Sequence, residues 1–212
     1  MHQPLVNLPF VGNTALWALM VNAKSVIFEA CGPYQRRTAR TRTAILTKEG
    51  ALDINVPVHT NLANTNRDAR INYDTPWNRQ IIYALRTAYN SSAYYEFFEA
   101  DFVKLFQKNH VFLWDLNIDL FQLVAQLAGL SIQWTETTQF LPPDTSCLDL
   151  RIGIETKHAG VINSLCKPVP YTQVFAEPYS NKPFTPYLSM LDLLFNEGPL
   201  ARRVLRDMVT MV

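Results

Sequence analysis

The chain has 212 residues, 48% of them apolar and 17% charged, a balance that supports a sizeable core and excludes a disordered chain. Lys plus Arg number 19 and Asp plus Glu 18, and the resulting net charge of +1 argues against a general nucleic-acid binder, which carries a clear basic excess. Three widely spaced cysteines, Cys31, Cys147 and Cys166, with no CxxC pair, argue against a disulfide framework and a zinc knuckle and fit a reducing cytoplasm.

In chain order, Leu5 to Phe10 is a short apolar run broken by proline. Gly12-Asn13-Thr14 leads into Ala15, Leu16, Trp17, Leu19 and Met20, which predicts a helix capped by Asn13 or Thr14. The run Ala15 to Val21 is too short to cross a bilayer, and no signal peptide is visible, so a cytoplasmic protein without a membrane span is expected. Ser25 to Glu29 reads as a buried strand closed by Gly32-Pro33. Arg36 to Leu46 alternates as a strand with Arg40 and Arg42 on one face, and Leu52 to Val58 reads as its hairpin partner across Gly50. Thr60 to Arg70 is a polar loop.

Asp74-Thr75-Pro76-Trp77 is a helix start, with Asp74 or Thr75 as cap. Trp77, Ile81, Leu85 and Ala88 continue that helix to Asn90-Ser91-Ser92. Tyr95, Phe98, Phe102, Leu105 and Phe106 mark a second helix, and about Asn117 to Ala128 a third, ended by Gly129. Leu130 to Trp134 and Leu148 to Ile154 are strand candidates, and Gln139 to Thr145 is loop. Pro186 to Phe195 and Leu200 to Met208 predict two short helices around Gly198-Pro199. The expected fold is mixed α/β (α+β), a single domain over residues 1–212. It has one sheet of about five to seven strands, packed with a three-helix block and the two C-terminal helices.

The stretch Tyr187 to Gly198, with its D-L-L-F-N-x-G pattern, resembles the closing motif of the WbqC-like protein family. Other segments are similar in the same order: Phe10-Val11-Gly12-Asn13 with Trp17; Glu29, Tyr34, Arg36, Thr38, Arg40 and Arg42; Val56-Pro57-Val58; Trp77-x-Arg79; Asp115-x-Asn117; and Asp149-x-Arg151. The likeness is to a Bacteroidetes-type branch and covers nearly the whole chain. Two positions depart from the family pattern: Ile81, where the family often has His, and Ala39, where it has an aromatic residue. The resemblance implies a place in O-antigen or other surface-polysaccharide assembly. It points to acyl or aminoacyl transfer to a nucleotide-activated amino sugar, and it carries over no established catalytic residues.

Among the residues themselves, Arg36, Arg37, Arg40 and Arg42 form the densest charge cluster, and guanidinium pairs suit phosphate oxygens; a solvated strand edge has the same composition. Gly12-Asn13 at a helix start suits either an anion or simple capping. Asp192 and Asn196, four apart, share one helix face, where they would either handle a proton and sugar hydroxyls or cap and bond the backbone. Cys31 reads as an exposed nucleophile or as an inert buried thiol. The histidines show no ligand spacing, and no GxSxG, Walker A or GxGxxG motif occurs. The leading expectation is an enzyme on a nucleotide-sugar or other small phosphorylated substrate. Asp192, Asn196 and Glu29 would be catalytic; Arg36, Arg40, Arg42, Asn13 and Tyr34 would bind substrate; no metal or cofactor is called for. The alternatives are a non-catalytic binding or assembly protein of the same pathway and, more weakly, RNA contact through the arginine strand.

Overall fold

The computed structural model describes residues 3–59, 63–143, 147–151, 165–176 and 181–209. Four short parallel strands form the central sheet: β1 (Pro4–Val6), β2 (Val26–Phe28), β5 (Trp134–Glu136) and β6 (Leu148–Asp149), in the order β5-β2-β1-β6. Leu5 pairs with Ile27 on one side and with Asp149 on the other, and Val26 pairs with Trp134. Helix α1 (Thr14–Asn22) connects β1 to β2. It is buried from Thr14 to Met20, as expected of a helix that is apolar all round. Asn13 is its N-cap, and its Oδ1 accepts from the Leu16 amide at 2.9 Å.

A second, separate sheet is the hairpin of β3 (Arg42–Thr47) and β4 (Gly50–Asn55), in register from Arg42 opposite Asn55 to Thr47 opposite Gly50. Among the described residues the sheet is therefore smaller than the five to seven strands expected: four parallel strands plus a separate antiparallel pair. The hairpin closes on itself through the Lys48-Glu49 turn and packs against helix α2 (Trp77–Tyr89) rather than joining the parallel sheet.

The helical block follows the apolar period: α2, α3 (Tyr95–Gln107) and α4 (Leu113–Leu127). Gly129, at φ 63, follows the α4 C-cap as the glycine signal requires. The α2 start differs from expectation, because Pro76 is the N-cap and no side chain caps it. Asp74 is held instead by Asn72, whose Nδ2 donates to the Asp74 carboxylate at 2.9 Å. The two short C-terminal helices are α5 (Met190–Glu197) and α6 (Ala201–Met208), and α6 packs on α1. Leu148 to Ile154 is a strand only over Leu148–Asp149; residues 152–164 lie outside the described residues. Among the described residues, no helix is long and apolar enough to cross a membrane.

One difference bears directly on the site. Residues 36–41 are turns, and the strand begins only at Arg42. Local hydrogen bonding explains this. The Thr38 hydroxyl donates to the Gln35 carbonyl at 3.2 Å, and the Thr41 amide and hydroxyl both donate to the Thr38 carbonyl. Arg37 adopts a left-handed φ of 57. Side-chain bonding of this kind competes with the β ladder and prevails here over the alternating pattern.

Candidate functional site

The two carboxylates singled out in the sequence, Glu29 and Asp192, are both 1% exposed and belong to different networks. Asp192 lies on α5, capped by the Ser189 hydroxyl. Tyr89 Oη donates to its Oδ1 at 2.9 Å; Tyr171 Oη and Gln173 Nε2 donate to its Oδ2 at 2.8 and 3.1 Å. Burial pushes the carboxyl up to about 6, against the pull of these three donors. The two phenols are driven well above their ordinary range, first by burial and then by the neighbouring carboxylate. Tyr89 Oη also accepts from the Leu46 amide on β3. One side chain thus joins α5, α2, the hairpin and the segment around Tyr171.

The rest of the D-L-L-F-N-x-G run does comparable work. Asn196 Nδ2 donates back to the Asp192 carbonyl at 2.7 Å, as the backbone-bonding reading has it. The Phe195 ring packs against Tyr89, Tyr95 and Phe102, each at 5.1 Å between centroids. Gly198 has a φ of 53, and a Cβ there would sit 2.5 Å from the Tyr94 ring, so no larger residue fits without displacing that ring. The segment just before α5 also closes the α1 start, where the Thr14 amide donates to the Leu188 carbonyl at 3.0 Å. With the Leu16 amide taken by Asn13, capping is the role seen for that residue.

Glu29 stands just past the C-terminal end of β2, beside the residues that follow the other parallel strands. Its Oε1 accepts from Thr137 Oγ at 2.7 Å and the Cys31 amide at 3.1 Å; its Oε2 accepts from the Leu141 amide at 3.2 Å and Arg151 Nη1 at 3.0 Å. Four donors occupy the four lone-pair sites of a carboxylate. Arg151 also holds Asp149 through its Nε and Nη2, the shortest contact being 2.6 Å. The Asp149 carboxyl sits below its ordinary range: burial works to raise it, and the Arg151 bonds outweigh burial. Asn7, just past β1, donates to the Arg151 carbonyl at 3.0 Å and accepts from Asn66, which also donates to the Glu29 carbonyl at 2.8 Å. Gly32 folds tightly over this network, since a Cβ there would meet Glu29 Cγ at 2.9 Å.

Above the network lies an open cleft of about 640 Å³. Ala30 and Cys31 line it from the end of β2; Thr65, Arg67 and Asp68 from the short 3-10 turn at Asn66–Asp68; and Thr135 to Thr138 from the end of β5. The C-terminal edge of an open parallel sheet is where such folds bind ligands. Arg67 pairs with Glu136 and lies 5.7 Å over the Trp114 ring, and Trp114 Nε1 donates to Glu136 Oε1 at 3.1 Å. Cys31 is half-buried, with its Sγ 3.5 Å from the Thr137 carbonyl oxygen.

The arginine loop does not line this cleft but is tied to one of its walls. Pro33 bridges to Thr65, and the Tyr34 amide donates to the Asn64 carbonyl at 3.3 Å. Tyr34 is half-buried; burial raises its phenol, and the nearby guanidinium charges of Arg40 and then Arg36 oppose that rise. These three side chains are therefore brought together. Arg40 is 6% exposed, its Nη1 donates to Thr38 Oγ at 3.0 Å, and Asn117 Nδ2 ties its carbonyl to α4 at 2.9 Å. Arg42 is not on a common strand face with Arg40: it opens β3, and its Nη2 donates to the Arg37 carbonyl. Asp192 and Asn196 do not line the cleft.

Sequence reading passed over Arg151, Asp149, Thr137, Arg67 and Asp68 as site residues. Two signals were available. Asp149-x-Arg151 at a strand end puts both side chains on one side of the chain, and Thr65-x-x-Asp68 is a capping-box pattern, here present in full. Among the described residues, no group of three His, Cys, Asp or Glu side chains is arranged to hold a metal ion.

The model of the WbqC-like protein family matches residues 8–165, a span that includes Glu29, the arginine loop, the cleft and Arg151 and that ends before the D-L-L-F-N-x-G run. Neither the curated proteins nor the solved structures yield a match.

Proposed function

The chain belongs to the WbqC-like protein family, and from that premise we propose that it acts on a nucleotide-activated sugar in O-antigen or surface-polysaccharide assembly. The reaction class is acyl or aminoacyl transfer to an amino sugar. The observation that carries the reading is the cleft of about 640 Å³ at the C-terminal ends of β2 and β5, with a loop that groups Tyr34, Arg36 and Arg40 tied to its wall through Pro33 and Thr65. Guanidinium groups backed by a phenol suit the diphosphate of such a substrate. Glu29 sets the floor of the site and fixes Arg151, Thr137 and the Cys31 amide around it, as a positioning group. Asp192 and Asn196 support the reaction only by holding the fold.

Titration calorimetry with UDP-, dTDP- and GDP-sugars tests this. At least one should bind, and Arg36→Ala should weaken it about tenfold, the effect of losing one charge-assisted contact of about 1.4 kcal/mol. Absence of binding by all three, or equal binding by Arg36→Ala, contradicts the proposal. Arg203→Ala, at an exposed position on α6, is the control that should bind normally.

A further inference from the structure

The chemistry of the cleft walls discriminates between the two ends of a nucleotide-sugar. Among the described residues, those that line it include no aromatic ring, so no aromatic stacking platform for a nucleobase is offered by them. Its polar groups among the described residues are three threonines from β5 and its end, one from the 3-10 turn, the Cys31 thiol, the Arg67 guanidinium, and two carboxylates, Asp68 and Glu136. Most of these are already engaged. Glu136 accepts from Trp114 and Arg67. The Thr137 hydroxyl donates to Glu29 and accepts from the Ala30 amide.

Asp68 is different. Its Oδ2 accepts from the Thr65 amide at 3.1 Å and the Thr65 hydroxyl at 2.7 Å, which fixes the side chain at the cleft wall. Its Oδ1 accepts no hydrogen bond from the described residues. Among the described residues the Thr138 hydroxyl, which also lines the cleft, likewise has no partner. A preset carboxylate oxygen and an uncommitted hydroxyl lining one cleft match the vicinal hydroxyls of a sugar ring, which both donate and accept.

We infer that the cleft is the sugar subsite, with Asp68 Oδ1 accepting from a ring hydroxyl and Thr138 completing the contact, while the nucleobase lies outside it. This rests on the function proposed above and adds the orientation of the substrate.

Saturation-transfer NMR on UDP-N-acetylglucosamine, dTDP-glucose and GDP-mannose tests the orientation. The expected result is stronger saturation of sugar-ring protons than of base protons for the ligand that binds. Asp68→Asn, which keeps an oxygen for the Thr65 cap, and Thr138→Val, at an exposed position, should each cut the sugar signal several-fold relative to the base signal, with unchanged unfolding midpoints. Binding in which base protons dominate, or in which neither variant changes the sugar signal, overturns this inference and leaves the diphosphate reading standing. No saturation from any of the three ligands overturns both.

Discussion

Glu29 and Asp192 are equally buried, yet their surroundings are of different kinds. Every side chain that donates to Asp192 is neutral, two phenols and an amide, and they come from two distant parts of the chain, α2 and the segment at Tyr171 and Gln173. Burial without a neighbouring cation raises the carboxyl to about 6, and the group serves as a junction. Glu29 instead meets a guanidinium, a hydroxyl and two backbone amides, and two of these donors, Thr137 and the Cys31 amide, belong to residues that line an open cleft. The first arrangement locks helices together. The second shapes a surface that a ligand can reach. On the proposed reading, a buried acid serves the fold or the site according to what its partners border, and not according to its burial.

That contrast can be broken by substitution. Asp192→Ala leaves two buried hydroxyls and an amide without their acceptor and should lower unfolding free energy by about 5 kcal/mol, the largest effect expected here, read by urea denaturation. Arg151→Met leaves the Glu29 carboxylate without its cation and should cost about 3 kcal/mol. The two should also part company in function. Arg151→Met should weaken nucleotide-sugar binding, whereas the milder Asp192→Asn, still folded, should leave it unchanged. Loss of binding in Asp192→Asn alone would reverse the assignment of roles.

A pH series sharpens the same point. The folded Asp192 carboxyl, at about 6, lies above its unfolded value of about 3.9, so the folded state holds the proton more tightly. This contribution to stability is complete below about pH 4 and is lost as the pH rises through 6, a change of about 2–3 kcal/mol. Asp149 and Asp119, both held below the ordinary carboxylate range, work in the opposite direction and lose their stabilisation in more acidic solution. The wild-type minus Asp192→Asn difference isolates the Asp192 part, and a difference that is flat from pH 4.5 to 7 contradicts it. The smallest stability effect belongs to Arg36→Ala, an exposed position, which should change unfolding by under about 0.5 kcal/mol while still weakening ligand binding.

The sequence made the helices plain because their apolar residues recur at helical spacing and their ends carry Asn13, Asn90 and Gly129. It also gave the hairpin, through alternation around Gly50. Residues 36–41 misled because alternation alone cannot register the Thr38 hydrogen bonds or the left-handed Arg37 that turn the chain there. The site was only half legible. Tyr34, Arg36 and Arg40 lie close in sequence, and a charge cluster is visible without a fold. Glu29, Thr137 and Arg151 meet only because β2, β5 and β6 end at the same edge of one parallel sheet, and no local pattern encodes that distance along the chain. The D-L-L-F-N-x-G run, the most recognisable stretch, owes its residues to packing: Phe195 in an aromatic cluster, and Gly198 under the Tyr94 ring.

The most direct test of where ligand meets this protein is amide hydrogen exchange with and without the nucleotide-sugar that binds best. Protection should appear over residues 30–40, 64–68 and 134–141, around the cleft and the arginine loop, and be absent over residues 186–198. Protection concentrated on 186–198, with the cleft segments unchanged, would contradict the assignment of Glu29 to the ligand site and of Asp192 to the fold.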